Sequence, residues 1–413
     1  MRIGINPSTI CGELSAPASK SIMQRAILVA ALAHGKSVLV NPCYSADALA
    51  AIDIAVGLGA HLDCFEDRVE IVPTNKLYRQ EFNCGESGLS LRLLTAIAGL
   101  FDQQIFITGS GSLRKRPIDL IEKPLTELGV KVKTNQGLLP VTITGPIVNN
   151  RVTVDCSVTS QFLSGLLTAL PLAKVDSEIQ VINLKSKPYV DITLELLRSF
   201  GAEIEANAAC THFKIKGNQR YQARTYTLEG DWSGAAFLLV AGAVAGEIKL
   251  KNLNLQSEQG DKIILEVLKM AKAGVKISET AIEVSSGDLS AFEFDATDCP
   301  DLFPPLVALA LNCQGTSRIK GVHRLAHKES DRAQVLVQEF AKLGATLTIE
   351  HDYLCIPASR LSGAVVLAHA DHRIAMALAV AGLKASGSVE IDQAESVAKS
   401  YPTFFDDLRS LMH

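Results

Sequence analysis

The chain has 413 residues, 47% hydrophobic and 20% charged. That length and composition argue against a disordered chain, a collagen or a coiled coil, and leave room for two or three domains with sizeable cores. With 44 acidic against 40 basic side chains the net charge is −4, which argues against a general nucleic-acid binder but not against a local basic pocket. Nine scattered cysteines with no C-x-x-C pair make neither a zinc nor a disulfide framework, and fit a reducing compartment in which they act as small hydrophobes. The N-terminal MRIGINPSTI lacks the apolar run of a signal peptide, and the longest uncharged stretch, 156–173, is too polar to span a membrane. The sequence thus reads as cytoplasmic.

Two markers recur along the chain. A Ser or Asp, residue types that cap helix N-termini, precedes an apolar, small-residue-rich segment at Ser19, Ser87, Ser160, Ser233, Asp301 and Asp371, at spacings of 68, 73, 73, 68 and 70 residues. Each segment is apolar nearly all round, which predicts a helix buried on every side. Between them, Gly59, Gly129, Gly201, Gly274 and Gly344, spaced by 70, 72, 73 and 70, are expected to end helices in the left-handed conformation. The alternating Val130–Thr134 and Ala345–Ile349 that follow predict half-buried strands. The chain therefore reads as an α/β protein of about six helix–strand–helix–strand–strand copies. The sixth copy stops after a helix over Thr403–Met412, and Met1–Ile10 has no preceding helix, so the two ends are expected to complete one unit together. Three units per domain give a discontinuous domain, 1–18 plus 229–413, and an inserted domain, 19–228. An open solenoid is the alternative, disfavoured because fully buried helices suit closed globes.

The polar chemistry gathers at the starts of the buried helices, where free N–H groups and a partial positive charge attract anions. Ser19-Lys20-Ser21 leads to Arg25, four residues beyond Ser21 on the same helix face. Glu86-Ser87-Gly88 leads to Arg92, Thr159-Ser160-Gln161 is rich in donors, and Asp371-His372-Arg373 opens the last apolar helix. Arg114-Lys115-Arg116, Lys328 to Arg332, and Lys399 lie in intervening loops. Each alone would be an ordinary surface charge or cap. Their recurrence at equivalent points of several repeats points to a site for small anions, phosphates or carboxylates. Asp301 reads equally as an N-cap or as an acid–base group, and Glu329 as a partner of the local cations or as a second acid–base group. No G-x-x-x-x-G-K-[ST], G-x-S-x-G or H-E-x-x-H motif is present, and His369 and His372 lack convincing partners for a metal.

Six motifs together, SKSIMQRA (19–26), RKRPI (114–118), TSQFLSGLL (159–167), SKPYVDITL (186–194), KESDRA (328–333) and DHRIAMA (371–377), resemble the 5-enolpyruvylshikimate-3-phosphate synthase family over essentially the whole chain, Ser15 to Phe405. The resemblance implies two domains of three similar units with the active site in the cleft between them. It implies transfer of the carboxyvinyl group of phosphoenolpyruvate to the 5-hydroxyl of shikimate 3-phosphate, in the shikimate pathway of aromatic amino acid and chorismate biosynthesis. It implies no metal or organic cofactor; the expected partners are the two small substrates, with no nucleic acid or membrane, and the protein is expected to be a monomer. By the same resemblance Asp301 is the base, Glu329 the acid, and Lys20 assists proton transfer and touches both substrates. Ser21, Arg25, Thr159, Ser160, Ser186 and Lys328 match the shikimate 3-phosphate contacts, Gln161 lies between the ligands, and Gly88, Arg116, Arg332, Arg373 and Lys399 match the phosphoenolpyruvate side. Glu86 and Leu89 depart from the family's usual Asn and Thr, which implies altered phosphoenolpyruvate affinity and reduced sensitivity to glyphosate, the family's inhibitor. The alternatives are the related UDP-N-acetylglucosamine enolpyruvyl transferase, which is expected to carry Lys-Asn near its start and a loop cysteine that this chain lacks, and a non-catalytic anion-binding protein of the same fold.

Overall fold

Runs of Ala, Leu, Ile and Val without polar interruption give helices with no wet face, and these organise the computed structural model, which describes residues 1–74, 76–326 and 328–413. The α-helices, in chain order, are α1 (Lys20–Ala31), α2 (Ala46–Gly57), α3 (Gly88–Ala98), α4 (Glu122–Glu127), α5 (Gln161–Ala169), α6 (Lys187–Ser199), α7 (Trp232–Ala245), α8 (Ile264–Met270), α9 (Phe303–Ala310), α10 (Arg332–Lys342), α11 (His372–Gly382) and α12 (Phe404–Leu411). The odd-numbered helices are buried over nearly their whole length, whereas α2, α6, α10 and α12 keep one wet face.

The chain divides into two compact units, Ala18–Leu228 and Met1–Pro17 with Glu229–His413. In the first, α1, α3 and α5 lie inside three four-stranded sheets; in the second, α7, α9 and α11 lie inside two four-stranded sheets and one three-stranded sheet. Each helix–strand–helix–strand–strand copy carries one element more than the periodicity indicates, a short strand ahead of the buried helix. Glu81–Asn83, for example, pairs parallel with Ile105–Thr108 across α3, and the sheet continues antiparallel through Leu138–Thr144 to Lys131–Asn135. Most of these leading strands are only three residues long, too short for alternation to show. The N-terminal strand Arg2–Ile5 pairs antiparallel with Val389–Asp392 and so completes the sixth sheet.

Gly59, Gly129, Gly201 and Gly344 follow their helices with φ of 103°, 85°, 84° and 92°. The fourth copy differs: Lys272, at φ 62°, takes the left-handed position, and Gly274 begins the strand Gly274–Ile277. The glycine of this copy stands two residues beyond the turn, and the exposed Lys272 holds the left-handed conformation in its place. Ala345 and Leu347 are buried in alternation, but the strand itself covers only Thr348–Glu350.

The strand–helix–strand connection explains where the polar residues fall. A parallel crossover enters its helix just beyond the carboxyl end of the leading strand, so the helix N-termini and their loops collect at that end of the sheets, where α/β proteins bind ligands. Close packing supports this: a Cβ on Gly165 of α5 would lie 2.5 Å from the Arg92 carbonyl of α3, so only glycine lets the two helices meet.

Candidate active site

In the unit Ala18–Leu228, the N-terminal ends of α1, α3, α5 and α6 are tied together by buried polar side chains. Arg25 is 2% exposed, and its guanidinium donates to Thr193 Oγ1 at 2.8 Å, to the Ser21 carbonyl at 2.9 Å and to the Tyr189 carbonyl at 3.3 Å. Burial pushes its pKa down to about 10, and the three acceptors it donates to are uncharged. Thr193 in turn donates to Ser164 Oγ at 3.0 Å, joining α6 to α5. The Ser160 hydroxyl donates to the Ser186 carbonyl at 3.3 Å, and Ser186 itself holds φ at 55°, a strained conformation for serine. Thr159 Oγ1 accepts from the Gln161 N–H at 3.2 Å. Lys20 pairs with Asp47 Oδ2 at 2.9 Å, both side chains largely buried.

The start of α3 is built around two arginines. A Cβ on Gly88 would meet Arg116 Nη1 at 2.9 Å and Arg92 Nη1 at 3.0 Å, so glycine is what leaves both guanidinium groups room at this helix end. Arg92 donates to the Gly88 carbonyl at 3.1 Å and to the Pro117 carbonyl at 3.3 Å, while its Nε has no hydrogen-bond partner among the described residues. Burial, reinforced by the neighbouring charge of Arg116, holds Arg92 down to about 9. Gln24 donates to Ser87 Oγ, to Ser90 Oγ at 2.8 Å and to the Asp47 carbonyl at 3.3 Å, fastening α1 to this corner. Buried cations with neutral partners, set on helix N-termini, form an arrangement that gains from an anion.

The two departures from the family pattern acquire structural roles here. Glu86 Oε2 accepts from the Ser112 N–H and hydroxyl, both at 2.8 Å, and thereby holds the turn Gly111–Lys115 that leads to Arg116. Leu89 is buried in the hydrophobic core. Glu86→Ala removes two charge-assisted hydrogen bonds, and Ser112→Ala one of them. Both variants are expected to accelerate trypsin cleavage after exposed Arg114 and Lys115, by on the order of tenfold for Glu86→Ala, since cleavage follows the population of opened loop. Unchanged cleavage kinetics would mean that Glu86 does not hold the turn.

In the second unit, one guanidinium gathers three carboxylates. Arg332, at the start of α10, is 0% exposed and donates to Asp301 Oδ1 at 2.9 Å, to Glu329 Oε2 at 2.5 Å, and to Asp371 at 3.0 and 3.3 Å. Burial works against its charge, but Asp371, Glu329 and Asp301 more than offset this and hold Arg332 firmly protonated. Asp301 also accepts from Arg373 Nη2 at 3.0 Å and from Lys328 Nζ at 3.4 Å. Burial alone would raise the Asp301 pKa; Arg373, Lys328 and Arg332 together pull it well below the usual carboxylate range. Burial pushes Lys328 down, partly countered by Asp301. Lys399 donates to the Ala370 carbonyl at 2.8 Å, just before Asp371.

Four expectations change, the first being Ser19, which stands at the N-cap position of α1 but makes no side-chain capping hydrogen bond. Asp301 is not an N-cap: it lies inside the turn Pro300–Leu302, its carboxylate turned to the cations. The cap of α7 is Asp231, which accepts from the Gly234 N–H at 3.0 Å, and Ser233 sits one residue inside the helix. The Ser160 side chain does not cap α5, because its hydroxyl is engaged by the Ser186 carbonyl. By contrast, Ser87 and Asp371 do cap their helices, at 3.1 and 3.0 Å. Gln24, Asp47 and Thr193 join the polar network without having been singled out; Arg92 stood out as the arginine four residues after Gly88, though without an assigned role. Among the described residues no group of His, Cys, Asp and Glu could hold a metal ion, all nine cysteines are thiols, and no helix is long and apolar enough to cross a membrane.

The family model for EPSP synthase (3-phosphoshikimate 1-carboxyvinyltransferase) matches residues 5–408. The chain is 41% identical over 423 residues to the 3-phosphoshikimate 1-carboxyvinyltransferase of Methanosarcina acetivorans, covering 100% of this chain and 98% of that protein. It is 38% identical over 416 residues to a protein of the same name from Clostridium perfringens, covering 99% and 98%. The structure of an EPSP synthase from Acinetobacter baumannii is similar with a TM-score of 0.84 at 26% identity, covering 100% of this chain and 98% of that one. The chain therefore belongs to the EPSP synthase family.

Proposed function

We propose that the chain moves the carboxyvinyl group of phosphoenolpyruvate to the 5-hydroxyl of shikimate 3-phosphate with Asp301 as base, Glu329 as acid and Lys20 assisting. The transfer and its pathway follow from the family; the residue roles are our reading. The observation that carries them is the buried Arg332, which bonds both Asp301 and Glu329 and so sets two carboxylates of different surroundings at one point.

Asp301 draws the proton from the 5-hydroxyl as the oxygen bonds to C2 of phosphoenolpyruvate. Glu329 delivers a proton to C3, turning methylene into methyl and giving a tetrahedral adduct. In the second half Glu329 recovers a proton from that methyl, the C2–O bond to phosphate breaks, and the proton held by Asp301 leaves with inorganic phosphate. The books close with the two substrates alone. A carboxylate held as low as Asp301 is a poor base. Anionic substrates that draw Arg373 and Lys328 to themselves weaken that hold and raise its pKa toward the range a base needs. Lys20, paired with Asp47, supplies a positive charge for the same step.

Ser21, Arg25, Thr159, Ser160, Ser186 and Lys328 are assigned to shikimate 3-phosphate, Gln161 to both ligands, and Gly88, Arg116, Arg332, Arg373 and Lys399 to phosphoenolpyruvate. Two substrates carry two phosphates and two carboxylates, and bidentate Arg with point-charge Lys offsets their repulsion. The buried Arg25 and Arg92, held by neutral partners, support this assignment. The relatives do not favour the UDP-sugar alternative. The reading also has the chain acting as a monomer in the cytoplasm, without nucleic acid; a net charge of −4 and nine thiols agree with the latter two. Phosphate release from purified protein is expected to require both substrates. Release with either alone, or none with both, would sink the reading.

A further inference from the structure

Asp261 is a buried carboxyl outside the set assigned above. It lies in the turn Gly260–Ile263 ahead of α8, is 4% exposed, and its Oδ1 has no hydrogen-bond partner among the described residues. Its Oδ2 accepts from the Ser233 hydroxyl; Ser233 Oγ accepts from Arg373 Nη2 at 3.2 Å, and the same Nη2 donates to Asp301 at 3.0 Å. The groups facing Asp261 are Asp301 and Asp231, which repel its charge, Arg373, which attracts it, the Ser233 hydroxyl, and the Cys299 thiol, which burial and then the Asp261 charge push up. A buried carboxylate with one oxygen unsatisfied, beside two like charges, is costly to keep. Such costs collect where a site needs them.

The reaction gives this one a use. Arg373 draws on Asp301 directly and on Asp261 through Ser233. When Asp301 takes the hydroxyl proton its charge vanishes, and Arg373 loses a direct charged partner at the moment it must hold substrate. We propose that Asp261 is a positioning residue that, through the Ser233 hydroxyl, keeps Arg373 anchored while Asp301 is protonated. This rests on reading Asp301 as the base. The two carboxyls are linked in the right sense: Asp261 is raised to about 6, chiefly by burial and then by the Asp301 charge, so neutralising Asp301 strengthens the hold of Asp261 on its own ionised form.

Asp261→Asn and Ser233→Ala test this by kinetics and melting together. Both are expected to lower kcat/KM for phosphoenolpyruvate by about 10²-fold, with KM for shikimate 3-phosphate unmoved. Below about pH 6 the wild-type value falls as Asp261 protonates, and Asp261→Asn removes that limb. Melting separates the variants. A carboxyl whose folded pKa is raised binds more protons folded than unfolded, so wild type loses stability as pH rises from the ordinary carboxylate value through about 6. Asp261→Asn is therefore expected to melt above wild type at pH 7.5 and level with it near pH 4. Ser233→Ala, which strands the carboxylate, is expected to melt lower. An Asp261→Asn variant of higher melting temperature with wild-type phosphoenolpyruvate kinetics overturns the proposal. If that variant does not fold, Ser233→Ala with unchanged kinetics overturns it equally. Should Asp301→Asn remain active, the reading of the base has failed instead.

Discussion

Asp301→Asn is expected to lower kcat by about 10²–10⁴-fold, the range that general-base catalysis contributes, while shikimate 3-phosphate still binds. Asn keeps the shape, so the turn Pro300–Leu302 has no steric reason to move, but its single carbonyl oxygen can accept from only one of Arg332 and Arg373, which bond different oxygens of Asp301. What it loses is the capacity to take a proton. It also loses the charge that Arg373 and Lys328 now face. Those cations then have less to hold them back from phosphate and carboxylate, so affinity for the anionic substrates is expected to stay level or rise. A fall in kcat without weaker binding is the signature of a group acting on the reacting atoms rather than on the complex. A loss of binding equal to the loss of rate would make Asp301 a structural counter-ion.

Removing Arg332 is expected to do the greatest harm to the fold. Arg332→Met preserves much of the volume but leaves Asp301, Glu329 and Asp371 without their shared cation, Asp371 at 0% side-chain exposure. Breaking a buried ion pair from one side costs about 3–5 kcal/mol, because the abandoned charge remains in a poor solvent. For a unit of this size that is a fall in Tm on the order of 10 °C, with activity lost altogether. The pH dependence follows from Asp301. Its folded pKa is depressed, so its contribution is complete above the unfolded value of about 3.9 and disappears as pH falls through the folded value. In Arg332→Met one cause of that depression is gone, so this acid-side loss is expected to be smaller and to be complete at a higher pH than in wild type. Arg332→Lys restores a charge but not the fork that reaches three carboxylates, and is expected to recover part of the stability. Urea unfolding of the three proteins across pH checks the order; equal midpoints would mean that the carboxylates find other partners.

The repeat was legible because two local rules recur at nearly constant spacing: a small polar residue before an apolar run, and a glycine after the outer helix. Both depend on neighbours within one turn, which a sequence shows directly. The leading strands were hidden because three residues such as Glu81–Asn83 carry no period, and their pairing with Ile105–Thr108 is set by the crossover. Where a near neighbour could serve equally well, residue type misled: Asp231 rather than Ser233 caps α7. Among the polar residues, those in compact motifs stood out, and those brought in by packing did not. Thr193 reaches Arg25 from 168 positions away, and Asp261 reaches Ser233 from the turn before α8, so no spacing marks either. Glu86 read as an odd charge near an anion site until its bonds to Ser112 showed what it holds.

The measurement that bears most directly on the account follows inorganic phosphate from wild type and Asp301→Asn, with both substrates and with each omitted, alongside binding of shikimate 3-phosphate to both proteins. The account predicts release from wild type only when both substrates are present, and its collapse in Asp301→Asn while binding persists. Wild-type protein that binds shikimate 3-phosphate yet releases no phosphate, or an Asp301→Asn variant that releases it at the wild-type rate, would contradict it.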